Sequence, residues 1–363
     1  MPKLTEGKVT FTIPDTLQTR RSDAFYNPNS ALQRDICIAV LKALNRTNLK
    51  IADVFAGSGI RSARLLKELP KEAIRSLLVS DASPSAIAVA KKNVRDRRAQ
   101  IIRKDARTIL LTEGFDYIDL DPFGSPALFL DAAAESLARK GILGVTATDL
   151  AALSGAEVHA CLRNYWARPL KGEFHKELSS RMVIRRIQLA CASHDKCVVP
   201  IYVHAVPHYV RVYLQHQGAD CAKVFQKEGF IHYCFRCCER RVSRENAPKS
   251  CCGAKMSVAG PLWIGPLWDA EFAQNVAIEA RGVSAQAQKT AAIIAEEAKI
   301  PQVTFYNVAK LCEKRKIDVP RIEEVLKSVA GARTHFSSTG IRSAVALKEV
   351  LAAISRASSK LRR

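Results

Sequence analysis

From Lys50 to about Val206 the chain alternates short apolar runs with longer stretches whose apolar residues recur every three to four positions: KIADVF, IRSARLLKEL, SLLVSD, PSAIAVAKKNVRDR and QIIRKD follow in that order. A short continuous apolar run suits a strand buried on both faces, and a 3.6-residue period suits a helix with one buried face. Parallel neighbours need a crossover connection, which the intervening helices supply, so the segment is restricted to a doubly wound α/β sheet. FDYIDLD and ILGVTATD provide two further strands with PALFLDAAAESLARK as the helix between them, and VVPIYVHAV with YVRVYLQHQ close the sheet as neighbours. In such folds ligands gather beyond the C-terminal ends of the strands.

The 363 residues, 48% of them hydrophobic, suffice for more than one domain. Beyond about Ala222 the pattern changes to a cysteine cluster, then AGPLWIGPLWD, then helical periods from Asp269 onward. The expectation is a Rossmann-like α/β domain over 1–222, with an N-terminal extension, and a smaller, mostly α domain over 223–363 that carries the cysteines. Lys and Arg number 56 against 35 Asp and Glu, a net charge of +21, which repels itself and points to a polyanionic partner, nucleic acid first. MPKLTEGKVTFTIP lacks the segment order of a signal peptide, and no apolar run approaches the roughly 18 residues that span a bilayer. A cytoplasmic protein with no membrane contact and no obligate protein partner is therefore expected, its eleven cysteines unpaired. Cys37, Cys161, Cys191 and Cys312 sit in helical patterns and read as small core residues.

DVFAGSGIR, residues 53–61, follows the first strand and opens a helix, so Gly57 and Gly59 let the backbone approach a nucleotide-like cofactor where a Cβ would clash. Ser62 stands where a dinucleotide fingerprint has its third glycine, and Asp53 precedes the loop as a carboxylate able to meet a cation. Both features favour S-adenosylmethionine over NAD. Asp81 ends the second strand 22 positions after Gly59, a spacing suited to ribose hydroxyls. Asp105 and the Ala106 amide, after the third strand, bracket an adenine edge, with helix capping as the competing role for Asp105.

IDLDPFGSP, residues 118–126, starts as a buried strand and ends in residues no strand prefers. Asp121 then lies beside the reactive methyl of the cofactor, which suits methylation of an exocyclic base amine. That nitrogen is a poor nucleophile because its lone pair is delocalised. A carboxylate accepting a hydrogen bond from it favours the lone-pair-forward geometry and takes up charge as the methyl moves in line. Pro122 removes a donor and directs a carbonyl to the amine's other proton, and Phe123 offers a face to the base. Asp119 is expected to be structural, satisfying backbone donors.

CFRCCERRVSRENAPKSCCG offers Cys234 and Cys237 as a C-x-x-C hook, with Cys251 and Cys252 as the second pair of a structural zinc site. The second pair is adjacent rather than spaced, Cys238 competes for a place in the first, and His232 is the only neighbouring imidazole, so the ligand register stays open.

AFYNPNSALQRD, DVFAGSGIRSAR, IDLDPFGSP, GVTATD, AGPLWIGPLWD and ARTHFSSTGIRS, spread over nearly the whole chain, resemble the archaeal-type tRNA (guanine-N2)-dimethyltransferases. That family uses S-adenosylmethionine to make N2,N2-dimethylguanosine at tRNA position 26. The resemblance implies that Phe25 faces the target base opposite Phe123, that Arg34 contacts the cofactor carboxylate, and that Arg61 lies at its methionine end. It also implies that Asp81, Asp105 and Ala106 contact ribose and adenine. The first domain is then expected to perform the transfer and the basic second domain to hold tRNA through its phosphates and shape. The alternatives are a methyltransferase for amines of DNA or other RNA, or a non-enzymatic zinc-bearing RNA-binding protein. The intact set of Asp53, Asp81 and Asp121 argues against the latter.

Overall fold

The computed structural model describes residues 3–13, 26–247 and 249–359. A hairpin of β1 (Lys3–Glu6) and β2 (Val9–Thr12) leads into α1 (Ala31–Ala43), β3 (Leu49–Asp53), α2 (Ile60–Glu68), β4 (Ile74–Asp81), α3 (Pro84–Asn93) and β5 (Ala99–Arg103). Next come α4 (Ala106–Leu110), β6 (Phe115–Leu120), α5 (Leu130–Ser136), β7 (Leu137–Ala147), α6 (Leu150–Leu153), α7 (Val158–Tyr165), α8 (His175–Ala192), β8 (Cys197–Val206) and β9 (Tyr209–Gly218).

Seven strands form one sheet in the order β5-β4-β3-β6-β7-β9-β8. Strands β3 to β7 run parallel, and β9 is antiparallel to both β7 and β8. The chain steps outward from β3 to β5 and then returns to the far side of β3 as β6. That reversal leaves a crevice at the C-terminal ends of β3 and β6, where Asp53 and Asp121 lie. The strands read from the sequence are all present, but two helix ends moved: α3, expected through Arg97, stops at Asn93 as Val94 turns to extended backbone. The helix expected through Lys140 ends at Ser136, because Leu137 pairs with Phe115 and both are buried. Residues up to Ile142, which pairs with Tyr117, bulge from the ladder through Lys140 at φ 60°.

After α9 (Ala222–Phe225), β10 (Glu228–Tyr233), β11 (Arg240–Ser243), the short hairpin β12 (Ser250–Cys251) and β13 (Ala254–Lys255), and β14 (Ser257–Trp263) follow. Strand β10 pairs with both β11 and β14. The remainder is α10 (Ala270–Ala280), α11 (Ala285–Glu297), β15 (Tyr306–Asn307), α12 (Val308–Arg315), α13 (Ile322–Leu326), β16 (Gly331–Arg333), β17 (Gly340–Ser343) and α14 (Leu347–Ser359). Helices α10 and α11 lie against α1, where Ser284 Oγ donates to Asp35 Oδ2 at 2.6 Å. Trp268 Nε1 donates to the Val203 carbonyl of β8 at 2.8 Å, so one apolar core continues across Ala222.

A fully buried ionic centre joins these parts. Arg342 on β17 reaches Glu177 of α8 at 2.6 Å and Glu297 of α11 at 2.9 Å. Arg181 donates to Glu177 at 2.9 Å, and His335 gives Glu297 both its amide at 3.0 Å and its Nδ1 at 2.7 Å. With Nδ1 as donor, His335 Nε2 accepts from the Ala205 amide of β8 at 3.3 Å. The ARTHFSSTGIRS motif therefore works as a buried lock between elements distant in sequence.

Candidate active site

The loop after β3 holds Gly57 at φ 52° and Gly59 at φ 76°, a region L side chains rarely adopt. A Cβ at Gly59 would sit 3.0 Å from Ala90 Cα and from Val94 Cγ2, so this glycine lets α2 pack closely on α3. The Gly57 amide donates to Asp81 Oδ2 at 2.9 Å, and the Ser83 amide donates to Asp81 Oδ1 at 2.9 Å. Asp81 thus shapes the loop from the end of the neighbouring strand. Asp105 caps α4, accepting from the Arg107 amide at 2.9 Å and pairing with the Arg107 side chain at 3.1 Å, while Ala106 is buried behind it.

Register places Asp53 of β3 beside Asp119 of β6. Asp119 is fully buried and accepts from Arg211 Nη2 at 2.5 Å and from the Tyr117 hydroxyl at 2.8 Å, with Arg61 Nε at 3.3 Å. Burial opposes its ionisation, yet Arg211 and Arg61 hold its carboxyl below the usual range. It is structural as expected, but through side-chain donors rather than backbone ones, and it shares its side of the strand with Asp121. Arg61 bridges the two, donating through Nη2 to Asp121 and, at 2.6 Å, to Gln33 Oε1. Asp121 differs because the strand ends at Leu120, which leaves its side chain 21% exposed at the cleft.

Gly124, at φ 78°, turns the chain after Phe123, and its amide donates to Thr148 Oγ1 at 2.7 Å. The Thr148 amide returns a bond to the Gly124 carbonyl at 3.0 Å, so GVTATD clips the loop in place. Pro122 is buried, whereas Phe123 is 77% exposed and presents its ring outward. Phe25 lies outside the described residues. Arg34 engages Nε and Nη2 on Glu6 and Nη2 on the Asn27 carbonyl, leaving Nη1 outside these bonds. Burial raises the Glu6 pKa, but Arg34 and Arg64 outweigh it and bring the carboxyl to about 2.

The buried atoms around this crevice without a partner among the described residues include Asp53 Oδ1, Arg61 Nη1, Ser58 Oγ and Arg211 Nε. Ser62 Oγ donates to the other oxygen of Asp53 at 2.7 Å, and burial, only partly opposed by Arg61, pushes the Asp53 carboxyl up to about 7. Buried polar groups are normally satisfied. An unmet acceptor and an unmet donor of opposite charge in one crevice suit the two ends of a zwitterion, such as the α-amino acid part of S-adenosylmethionine. Sequence reading does not reach Gln33, Thr146 or Arg211, which donates to Thr146 Oγ1 at 2.8 Å. The available signal was Arg211 itself, a lone cation in the apolar strand YVRVYLQ, which requires a buried counter-charge.

The Sγ atoms of Cys234, Cys237, Cys251 and Cys252 lie within 4.8 Å of one another. Cys252, at φ 47°, reverses direction after Cys251, so adjacent residues point to one centre: Cys234 to Cys252 is 3.6 Å and Cys237 to Cys251 is 3.5 Å. Cys238 stands apart, buried, with its amide donating to the Cys234 carbonyl at 2.8 Å, and His232 Nε2 lies 3.4 Å from the Glu245 carbonyl. Cys37, Cys161, Cys191 and Cys312 are fully buried.

The strand order with its reversed final hairpin, the glycine loop after the first parallel strand and the acidic residues closing successive strands define a Rossmann-like S-adenosylmethionine-dependent methyltransferase fold. The cysteine-bearing C-terminal region is added to it. More narrowly, the chain belongs to the N2,N2-dimethylguanosine tRNA methyltransferase family, whose model matches residues 7–355. It is 36% identical to the Aquifex aeolicus tRNA (guanine(26)-N(2)/guanine(27)-N(2))-dimethyltransferase over 95% of this chain and 94% of that protein. It is 34% identical to the Methanosphaera stadtmanae tRNA (guanine(26)-N(2))-dimethyltransferase over 95% and 94%. The structure of Trm1 from Pyrococcus horikoshii in complex with S-adenosyl-L-methionine superposes with a TM-score of 0.86 at 31% identity, covering 98% of this chain and 100% of that one. Among the described residues, no helix is long and apolar enough to cross a membrane.

Proposed function

We propose that the protein methylates the exocyclic N2 of guanosine 26 in tRNA, with S-adenosyl-L-methionine as donor, giving N2-methyl- and N2,N2-dimethylguanosine. The observation that supports this is the convergence of Asp53, Arg61 and the partly exposed Asp121 at the C-terminal ends of β3 and β6, in a chain whose family is the N2,N2-dimethylguanosine tRNA methyltransferases. Bound S-adenosylmethionine supplies an electrophilic methyl group. Asp53 Oδ1 receives the ammonium, while Arg61 Nη1 and Arg34 Nη1 receive the carboxylate. Asp81 orders the glycine loop through Gly57 and faces the ribose, and Asp105 with Ala106 borders the adenine. Asp121 accepts a hydrogen bond from the guanine N2–H, orients the lone pair and stabilises the charge that develops as the N–CH3 bond would form and the S–CH3 bond break, with S-adenosylhomocysteine leaving and the amine's proton lost through Asp121 to solvent. The second proton faces the Pro122 carbonyl. Phe123 stacks on the base from one face and Phe25 from the other.

Residues 1–222 carry the chemistry in this reading, and 223–363 grip the tRNA. The four thiolates at Cys234, Cys237, Cys251 and Cys252 hold a structural zinc ion, a donor set that suits tetrahedral coordination with no open position. Incubation with labelled S-adenosylmethionine and tRNA, followed by mass spectrometry of nucleosides, tests the function. Both methylated guanosines should appear at position 26 and vanish when that base is replaced by adenosine. Product at a neighbouring guanosine would widen the substrate class, and absence of N2-methylated guanosine would refute the reading.

A further inference from the structure

Between the β1–β2 hairpin and helices α2 and α3 runs a groove of about 740 Å3. Its floor is apolar and buried, made by Val9, Phe11, Ala63 and Val94. Its rim carries Lys3, Lys8, Lys67, Lys92 and Arg95, all exposed. These cations come from β1, the hairpin turn, α2, α3 and the segment after α3, so folding brings them together. Among the described residues none of the five is in an ion pair, and the one acid lining the groove, Asp96, is held by Arg98 at 2.7 Å. The neighbouring sequence adds Lys91, Arg97 and Arg103, also exposed.

Five uncompensated cations around one groove repel each other, a cost that a polyanion removes. The groove exceeds the needs of a single phosphate. Lysine and arginine heads dominate its rim, and its one aromatic, Phe11, is buried at 2% exposure, so the groove suits phosphates rather than base faces. We propose that this groove seats the sugar–phosphate backbone of the tRNA on the catalytic half, resting on the tRNA reading above and adding a contact surface remote from the cysteine cluster. Asn93, in the groove wall, donates to the Ser58 carbonyl of the glycine loop at 2.9 Å and to the Thr12 carbonyl of the hairpin at 3.0 Å. A backbone seated here lies one side chain away from the cofactor loop.

The test is direct binding of full-length protein to tRNA across a salt series. The variant carries Lys8→Gln, Lys67→Gln, Lys92→Gln and Arg95→Gln. The control carries Lys71→Gln, Arg75→Gln, Arg139→Gln and Lys140→Gln, which remove the same charge from exposed positions where the strands begin. The groove variant should bind tRNA about tenfold or more weakly at about 150 mM salt and lose about two to three from the slope of log affinity against log salt. The control should lose less than about threefold, and both should bind S-adenosylhomocysteine as the parent does. Unchanged tRNA affinity and slope, or a loss matched by the control, would overturn the groove assignment. Parent protein that binds tRNA through the groove but transfers no methyl would overturn the functional reading alone.

Discussion

In the proposed reaction, replacing Asp121 by Asn removes one negative charge from the point where the reacting amine would become cationic, and the surrounding structure confines the damage to that point. Arg61 keeps Asp119 at 3.3 Å and Gln33 at 2.6 Å, so it remains paired and in place when Asp121 loses its charge. Because Arg61 retains Asp119 and Gln33, no buried charge is stranded and the stability lost should stay below the about 3–5 kcal/mol that stranding one costs. The catalytic loss should be large, because a preorganised electrostatic partner of a developing charge contributes about a hundredfold to a thousandfold, or about 2.7–4 kcal/mol. The assay is a single-turnover measurement with saturating cofactor and tRNA, read by mass spectrometry, alongside calorimetric titration with S-adenosylhomocysteine and a thermal melt. Asp121→Asn should bind both ligands and melt within a few degrees of the parent while transfer slows by about a hundredfold or more. Asp119→Asn should do the reverse, because it strips Arg211 of its buried counter-charge and should cost about 3–5 kcal/mol of folding stability first. Single-turnover rates for Asp121→Asn within about threefold of the parent would refute the assignment and require another group to orient the amine.

Asp53, with its carboxyl pushed up to about 7 by burial, should bind the cofactor's ammonium more tightly as it ionises, so S-adenosylhomocysteine affinity should rise from about pH 6 to about pH 8 and Asp53→Asn should flatten that rise. The same raised value makes the carboxyl a source of instability that grows as pH rises from about 3.8 towards 7 in the cofactor-free protein. Burial raises the Glu177 pKa, but Arg342 and Arg181 bring it down to about 2, so its contribution is present above about pH 4.5 and is lost as pH falls towards 2. Arg342→Met should lower stability by about 3–5 kcal/mol at neutral pH and should recover part of it on acidification to about pH 5, because the stranded carboxyls then take up protons; parallel pH profiles for the two proteins would contradict this. Elemental analysis should find about one zinc per chain, and chelation should lower the melting temperature before it touches S-adenosylhomocysteine binding; metal-free protein of full stability would exclude a structural zinc.

The alternation of strand and helix periods, the glycines of DVFAGSGIR and the turn residues of IDLDPFGSP are local signals, because backbone geometry and side-chain period act over a few residues. By themselves they determined a doubly wound sheet, a loop at the end of its first strand and a carboxylate at the end of its fourth. Helix boundaries were less legible: Leu137 left its helical pattern because pairing with Phe115 buried it more fully. Which four cysteines converge turned on a positive φ at Cys252, which no spacing rule announces. The roles of the charged residues were decided only by tertiary structure. Arg34, Arg61 and Arg211 are all arginines near apolar sequence, yet one engages Glu6, one bridges Asp119 and Asp121 with a donor left over, and one neutralises Asp119 from the antiparallel strand β9. Likewise ARTHFSSTGIRS identifies the family but not its task, since Arg342 meets Glu177 across 165 positions of chain. Burying a charge is tolerable only where an opposite charge arrives from elsewhere in the fold, and that pairing is a property of three-dimensional proximity rather than of sequence spacing.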